Sequence, residues 1–274
     1  MQENTPALWK IPPLAAEDHK YRRGHVLVYG GGTLTGASRL AALAALRTGA
    51  GLVTLAAPHS VWPVYAASLL SVITRPLAGT EDWQALLEDA RITAVILGPG
   101  AGVDRRLHHA LTASLTANKK LLLDADALTL LAQDASLRAQ MQGKEVILTP
   151  HEGEYEKLAG ALRLETGAHR ARALATALGV TVLLKGAETV IADGAGQERA
   201  NRHAPPWLAT AGTGDVLAGI IAGLWAQGMT AFDAASAGAW LHGEAALRRT
   251  RGMIAEDLLA ELPAALAAVD VGIS

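Results

Sequence analysis

Residues 210–215 (TAGTGD) combine small residues with one acid directly before an apolar stretch that begins at Val216. Small residues let successive backbone N–H groups face one point at a helix N-terminus, which predicts an anion hole there. The predicted anion hole consists of Ala211, Gly212, Thr213 and Gly214. Asp215, at its end, could accept a proton from a hydroxyl group that attacks phosphorus. The alternative is an ordinary helix start with an acid in its first turn.

Three other segments could bring a ligand close to the backbone or to a carboxylate. Residues 30–37 (GGGTLTGA) and 98–102 (GPGAG) are rich in glycine, and each could be only a turn; the first segment is not GxGxxG in register. Residues 124–128 (DADAL) place a carboxylate where it could bind a ligand hydroxyl or a hydrated cation. An N-cap role for Asp126 is the equally simple alternative.

Two further segments concern metal and nucleotide binding. Residues 149–154 (TPHEGE) hold a histidine and two acids, but their spacing does not match the HExxH pattern of catalytic zinc. A contact from Glu154 through water to Mg²⁺ fits better, because magnesium keeps several of its waters; helix capping by the acids is the alternative. Residues 185–189 (KGAET) predict a tight hairpin beside the anion hole that could contact nucleotide phosphate or ribose, although such a segment is often only a turn.

These segments follow short apolar runs that alternate with stretches of helical period, which predicts stacked βαβ units. The predicted strands are His25–Tyr29, Leu52–Ala56, Ala94–Leu97, Lys120–Leu123, Val146–Leu148, Thr181–Leu184 and Thr189–Ala192. The predicted helices are Ala37–Arg47, Trp83–Asp89, Arg105–Ala117, Glu154–Leu158, Ala168–Leu178, Asp215–Gln227, Ala231–Arg248 and Ala255–Ala267, with only helices after the last strand. The pattern predicts an α/β fold: a three-layer α/β/α sandwich with a mostly parallel central sheet, formed as a single domain over residues 1–274.

Composition narrows the classes of function. The 24 Lys and Arg residues nearly balance 26 Asp and Glu residues, which gives no electrostatic basis for binding nucleic acid or an anionic membrane. The absence of cysteine excludes disulfides, thiol nucleophiles and zinc–thiolate sites. We expect a cytoplasmic protein, because the first residues lack the apolar core of a signal peptide and the apolar run 216–226 is too short to span a membrane.

Taken in order, GGGTLTGA, GPGAG, DADAL, TPHEGE, KGAET and AGTGD resemble the ribokinase-like superfamily, and within it the ADP-dependent NAD(P)H-hydrate dehydratases, from about Lys20 to Leu247. Sugar and pyrimidine kinases of the superfamily usually carry Asn-x-x-Glu where this chain has residues 151–154 (HEGE), which favours the dehydratases. The first loop departs from that family, which commonly has a serine near its start where this chain has residues 30–32 (GGG). The resemblance implies substrate-binding positions at Ala37, Gly102, His151 and Asp215. It implies nucleotide-binding positions at Lys185, Gly186, Ala187, Glu188, Thr189 and Gly214.

The resemblance also implies an activity and its partners. The activity is dehydration of the S-form of NADH hydrate and NADPH hydrate to NADH and NADPH, driven by ADP (ATP in some members) with Mg²⁺, releasing AMP and phosphate. A separate NAD(P)H-hydrate epimerase is expected, because the match begins close to the start of the chain. A homotetramer is expected, and the apolar surface of the last two predicted helices suits subunit contacts. The alternatives are a kinase of the hydroxymethylpyrimidine or hydroxyethylthiazole type, a nucleotide sensor without turnover, and a structural oligomer.

Overall fold

One sheet of ten strands runs through the computed structural model, which describes residues 1–15, 17–165 and 167–269. In chain order the strands are β1 (Gln2–Glu3), β2 (His25–Tyr29), β3 (Leu52–Pro58), β4 (Ile73–Leu77), β5 (Ala94–Leu97), β6 (Lys120–Leu123), β7 (Val146–Leu148), β8 (Thr181–Leu184), β9 (Thr189–Ala192) and β10 (Glu198–Asn201). Their order across the sheet is β1-β10-β9-β8-β7-β6-β5-β2-β3-β4. The pairs β8–β9 and β9–β10 are antiparallel and every other pair is parallel.

Eleven α-helices within the described residues cover the two faces of the sheet. They are α1 (Thr35–Arg47), α2 (Trp62–Ser68), α3 (Thr80–Leu87), α4 (Arg105–Thr116), α5 (Asp126–Gln133), α6 (Ala135–Gln140), α7 (Glu152–Leu162), α8 (Arg170–Leu178), α9 (Thr213–Ala226), α10 (Ala231–Leu247) and α11 (Ala255–Ala267). Side chains of α1, α2 and α9–α11 join one apolar cluster and those of α3–α8 join another. Strand β2 separates the clusters, because successive side chains of a strand point to opposite faces: Val26 and Val28 enter the first, Leu27 and Tyr29 the second. The predicted three-layer α/β/α sandwich is therefore confirmed.

All seven predicted strands are present, but the prediction of only helices after Ala192 is wrong. Strand β10 follows and pairs with β9, and the short β1 pairs with β10. The sequence of β10 (ERAN) is polar and lacks the apolar run on which the prediction relied. The edge strand β4 was also missed; it carries Pro76, which cannot donate a backbone hydrogen bond and is tolerated at an edge. Helices α2, α5 and α6 were missed as well; they are six to eight residues long.

Helix α9 is buried along nearly its whole length, between α1 and α10. A Cβ atom placed on Gly219 would lie 2.2 Å from the carbonyl oxygen of Ala41, and one on Gly223 would lie 2.8 Å from that of Ala45. Because Ala41 meets Gly219 and Ala45 meets Gly223, α1 and α9 pack parallel and very close together. This packing fixes the position of the α9 N-terminus.

The alanine-rich helices α10 and α11 bury most of their apolar residues inside the chain. Their alanine content is thus accounted for by packing against α9 and against each other. Among the helices of the described residues, none combines the length and the apolar character needed to cross a membrane.

Candidate active site

The loops after β2 and β5 meet at the point where the strand order reverses. From β2 the chain continues to β3 and β4 on one side, and then returns to β5 on the other side of β2. Open α/β sheets bind ligands at such a switch point, at the carboxyl ends of the strands. The two loops touch here: a Cβ on Gly31 would lie 2.0 Å from the oxygen of Gly100, and the N–H of Leu34 donates to that oxygen at 3.5 Å. Residues 30–37 and 98–102 therefore form one continuous surface, which we call the floor of the site.

The loop after β6 holds this floor in place. The carboxylate of Asp126 accepts a hydrogen bond from the N–H of Gly102 at 2.8 Å. It makes no capping bond to α5, so the N-cap alternative for Asp126 is wrong. Between the two acids, Ala125 has a φ of 48°, a conformation that costs energy for a residue with a side chain. The strained turn directs Asp124 and Asp126 to different partners.

Asp124 and Lys185 form a buried ion pair at the ends of β6 and β8. Lys185 Nζ donates to Asp124 Oδ1 at 2.8 Å, and Asp124 is only 2% exposed. Burial opposes the charge of Lys185, yet its pKa is raised by Asp124, with Glu154 and Asp215 adding to the effect. One ammonium group thus faces three carboxylates, which leaves the cluster with excess negative charge.

Glu154 and His151 are joined at the start of α7. Glu154 Oε2 accepts a hydrogen bond from the His151 N–H at 2.8 Å, and His151 Nδ1 accepts one from the Gly153 N–H at 3.0 Å. Helix capping, the alternative considered for Glu154, is therefore present. Burial raises the pKa of Glu154, and the neighbouring Asp124 carboxylate raises it further. His151 also pairs with Lys185 through a single parallel bridge, so α7 begins beside the ammonium group.

The N-terminus of α9 lies next to Lys185. A Cβ on Gly214 would stand 3.5 Å from Lys185 Nζ. Gly212 has a φ of +85°, and the hydroxyl of Thr213 donates back to the carbonyl groups of Thr210 and Leu208. Within the described residues, the backbone N–H groups of residues 211–215 form no hydrogen bond, as an anion hole requires.

Asp215 is half-buried in the first turn of α9. Burial raises its pKa to about 6; the Asp124 carboxylate adds to the rise, and Lys185 opposes it. A carboxylate with a pKa near the working pH is suited to accept a proton during a reaction. The sequence indicated Asp215 for this chemistry, but Asp124, which helps to tune it, was noticed only as one acid of a loop.

A cavity of about 680 Å³ opens between the β8–β9 hairpin and the start of α9. Of the residues predicted to bind nucleotide, those that line it are Lys185, Gly186, Ala187, Thr189 and Gly214. Glu188 instead forms an ion pair with Arg202. The volume lies in the usual range for small-molecule sites.

Two histidines also line this cavity. His151, predicted to contact substrate, shares it with the hairpin. His242 was not anticipated: it is 7% exposed, its Nε2 has no hydrogen-bond partner, and burial lowers its pKa to about 4. The sequence signal for His242 was a histidine within the mostly apolar stretch of α10.

Ala37 and Gly102, the other predicted substrate positions, lie on the opposite side of Asp215 from the hairpin. Ala37 is four residues before Ala41, and Asp215 is four residues before Gly219, so the parallel packing of α1 and α9 places Ala37 opposite Asp215. Gly102 lies at the end of the floor, with its Cβ position 3.2 Å from Thr33 Oγ1. The role of each of these residues in binding stays a prediction.

The acids of the site suit a hydrated cation better than a directly bound one. Among the described residues, no group of three or more His, Asp or Glu side chains is arranged to hold a metal ion. Asp124 is already paired with Lys185, and Glu154 Oε2 with a backbone N–H. Carboxylate oxygens can still accept hydrogen bonds from metal-bound water, and magnesium keeps several waters. The residues present therefore fit Mg²⁺ held through water.

Comparison with known proteins agrees with the chemistry that the geometry of the site indicates. The family model described as NAD(P)H-hydrate dehydratase matches residues 25–266. The bifunctional NAD(P)H-hydrate repair enzyme Nnr of Moorella thermoacetica is 41% identical over 93% of this chain and 51% of its own length. The ADP-dependent (S)-NAD(P)H-hydrate dehydratase of Neisseria meningitidis is 38% identical over 92% of this chain and 86% of its own length. The chain thus spans about half the length of the bifunctional relative.

Solved structures show the same likeness. The ADP/ATP-dependent NAD(P)H-hydrate dehydratase of Bacillus subtilis, co-crystallised with ATP and Mg²⁺, has a TM-score of 0.83 and 28% identity over 98% of this chain and 99% of that one. A ribokinase-like superfamily protein of Enterococcus faecalis has a TM-score of 0.86 and 25% identity over 98% of this chain and 96% of that one. The fold is therefore ribokinase-like, and the chain belongs to the NAD(P)H-hydrate dehydratase family.

Proposed function

We propose that this protein catalyses the ADP-dependent dehydration of the S-form of NADH hydrate and NADPH hydrate. The products are NADH or NADPH, AMP and phosphate, and ATP is the alternative phosphoryl donor. The observation that carries the proposal is the position of Asp215: a half-buried carboxylate with a pKa of about 6, at a helix N-terminus with free N–H groups. A nucleotide-sized cavity adjoins it.

The proposed reaction begins with activation of the leaving group, because hydroxide leaves poorly and phosphate leaves well. Asp215 accepts the proton of the ring hydroxyl as that oxygen attacks the terminal phosphorus of ADP. A P–O bond to the ring oxygen forms, and the bond to the bridging oxygen breaks and releases AMP. The N–H groups of residues 211–214 stabilise the transferring phosphoryl group; removing one such donor typically costs several kcal/mol of transition-state stabilisation.

Elimination then completes the proposed reaction. The lone pair of the ring nitrogen expels phosphate from the adjacent carbon, and loss of a proton from the next ring carbon restores the dihydropyridine. The sum is one hydrate and one ADP converted to one dihydronicotinamide nucleotide, AMP and phosphate. A kinase would instead accumulate a stable phosphorylated product.

We propose that Glu154 would hold Mg²⁺ through water, close to the phosphates of ADP. Bound Mg²⁺ neutralises charge on the phosphates. This chain's own cation, Lys185, lies beside the Gly214 backbone and contributes to holding the terminal phosphate. The excess negative charge of the cluster is consistent with an added cation.

The proposal also covers assembly and cellular context. We propose a homotetramer, supported by large apolar side chains left exposed in α2 and around the start of β4: Val64, Leu70 and Ile73. Light scattering at micromolar concentration tests it, and a monomer contradicts it.

We propose that the enzyme works in the cytoplasm with an NAD(P)H-hydrate epimerase as its partner; relatives that are bifunctional repair enzymes support such a link.

The decisive experiment uses purified protein with NADH hydrate, ADP and magnesium. We expect absorbance at the dihydronicotinamide band to recover, with one AMP and one phosphate released per hydrate consumed. ATP replaces ADP in a parallel reaction. Folded protein that shows no recovery with either nucleotide contradicts the dehydratase proposal, and a stable phosphorylated product identifies a kinase.

A further inference from the structure

A second recess leads away from the active site on the side opposite the nucleotide cavity. Two neighbouring cavities of about 280 and 240 Å³ share Tyr29, Pro58, Ser60 and Arg106 in their linings, so they lie side by side at the ends of β2, β3 and β4. The near end is lined by Gly102 of the floor, and the far end reaches Trp83. We call this space the Tyr29–Arg106 recess.

Tyr29 lines this recess and carries its one polar side-chain group, a hydroxyl, there. The residue is 3% exposed, and its ring packs edge-to-face on Trp83 with 5.3 Å between ring centroids. Its hydroxyl forms no hydrogen bond to any residue that the structure describes, and the oxygen stays accessible from the recess. Burial raises the pKa of Tyr29 to about 12, and Asp104 adds to the rise, so the hydroxyl stays protonated and able to donate. The Tyr29 hydroxyl is therefore available as a hydrogen-bond donor in the recess.

Arg106 brings a positive charge to the same recess. It lies in the first turn of α4, where the helix dipole disfavours a cation, so its position does not stabilise the helix. Its guanidinium forms no ion pair within the described residues. The nearby Asp104 carboxylate is engaged by the backbone N–H groups of Arg106 and Leu107. Arg106 is exposed and lines the same cavities as Tyr29, and guanidinium and hydroxyl groups both donate hydrogen bonds to phosphate.

The order of the strands in the sheet determines whether a phosphate of the nucleotide or a phosphate of the substrate can reach the Tyr29–Arg106 recess. The nucleotide cavity lies at β8 and β9, the Asp124–Lys185 pair at β6 and β8, and the recess at β2–β4. At about 4.8 Å per strand, the recess begins roughly 10 Å from β6, on the far side from the nucleotide cavity. If ADP fills the nucleotide cavity, the part of the substrate beyond its reacting ring must leave in the direction of the floor and the recess.

We propose that the Tyr29 hydroxyl and the Arg106 guanidinium bind a phosphate of the dinucleotide substrate, remote from the ring on which Asp215 acts. This inference rests on the proposed function. The phosphate is either the pyrophosphate that all such substrates carry or the 2′-phosphate found only on NADPH hydrate. Both sources share the same chemistry, and the choice of substrate separates them.

The test compares Arg106→Gln and Tyr29→Phe with Arg105→Gln, a matched control on the same turn that does not line the recess. Because hydrogen bonds to charged groups are strong, we expect Arg106→Gln to raise the KM for hydrate about 10- to 100-fold, and Tyr29→Phe less. ADP affinity should stay as in wild type. An equal rise for both hydrates assigns the pyrophosphate, and a rise for NADPH hydrate alone assigns the 2′-phosphate.

Equilibrium binding of NADH and NADPH, measured by calorimetry on the same variants, gives a readout that needs no turnover. If wild-type protein binds these dinucleotides but does not turn over hydrate, the proposed function fails while the recess is still tested by the loss of binding in Arg106→Gln. KM values and affinities equal to those of Arg105→Gln in both variants overturn the inference. So does wild-type protein that binds neither dinucleotide.

Discussion

The carbonyl oxygen of Ala41 occupies the space that a side chain on Gly219 would need, since a Cβ there would lie 2.2 Å away. The contact lets two helices pack parallel at very close range. One helical turn earlier, the same packing sets Ala37 opposite Asp215. A contact within the core thus positions both a predicted substrate residue and the proposed proton acceptor.

Gly219→Ala should therefore destabilise the protein, although alanine is the better helix former. Overpacking against the Ala41 carbonyl should lower the free energy of unfolding by about 1–3 kcal/mol, and activity should fall because Asp215 shifts. Urea unfolding and turnover measure the two effects. The matched control is Gly160→Ala in α7, where a Cβ meets nothing within 4 Å; it should stabilise by roughly 0.5–1 kcal/mol. Equal changes in the free energy of unfolding at the two positions would show that helix propensity, and not packing, determines the effect of the substitution.

Much of this site could be predicted from sequence because its parts lie on short loops that follow apolar strands. The loops at residues 98–102 and 210–215 were found from glycine content and position alone, and parallel strands bring such loops to one edge. The amino-acid composition cannot give the distance between two helices. Ala37 looks like any helix alanine, and only the observed contact of Ala41 with Gly219 shows why it lies opposite Asp215.

Other features were missed because their chemistry depends on burial. Asp124 and Asp126 are two residues apart and equally acidic, yet one pairs with Lys185 and the other holds Gly102. The positive φ of Ala125 separates their directions, and nothing in an alanine predicts that conformation. Tyr29 looks like the end of an apolar strand until its hydroxyl is found facing a cavity.

Asp215→Asn should separate binding from chemistry. The anion hole belongs to the backbone, so ADP affinity should be kept, or rise slightly because a negative charge is removed near phosphate. Turnover should fall by about 10²–10⁴-fold, as expected for loss of a general base. Calorimetric ADP affinity and steady-state turnover measure the two effects.

The companion variant is His151→Ala. If His151 contacts substrate, it should raise the KM for hydrate and leave ADP affinity unchanged. Loss of ADP binding would instead assign His151 to the nucleotide cavity that it lines. Near-normal turnover of Asp215→Asn would show that Asp215 is not a general base and only stabilises the start of the helix.

Asp215→Asn should also reveal how Asp215 affects the stability of the protein as a function of pH. Its pKa rises from an ordinary 3.8 to about 6 on folding, so the folded state holds the proton more tightly. The stability that the group contributes is present below pH 3.8 and lost as the pH rises through about 6. Asn resembles the neutral acid, so Asp215→Asn should have the wild-type Tm below pH 3.8 and a Tm several degrees higher above pH 7. Glu145→Gln, at an exposed position, is the control for replacing an acid by its amide. A difference in Tm that is constant with pH would contradict the raised pKa.

The ion pair of Lys185 with Asp124 should behave as a unit. Lys185→Met leaves a nearly inaccessible carboxylate beside Glu154 and Asp215 without its partner, and breaking a buried pair in this way costs about 3–5 kcal/mol. We expect the low end of that range, because the Lys185 side chain is 21% exposed. Asp124→Asn added to Lys185→Met should recover most of the free energy of unfolding, since the unpaired charge is gone.

ADP binding should not recover with stability, because the cation beside the anion hole is still absent from the double variant. Urea unfolding and ADP calorimetry are therefore expected to disagree, and that disagreement distinguishes the structural role of the pair from the binding role of Lys185. Lys157→Met, on the exposed side of α7, is the control for loss of a lysine and should change neither quantity. If the double variant is no more stable than Lys185→Met, the carboxylate of Asp124 is not the source of the cost. If it binds ADP as wild type does, Lys185 serves only to neutralise Asp124.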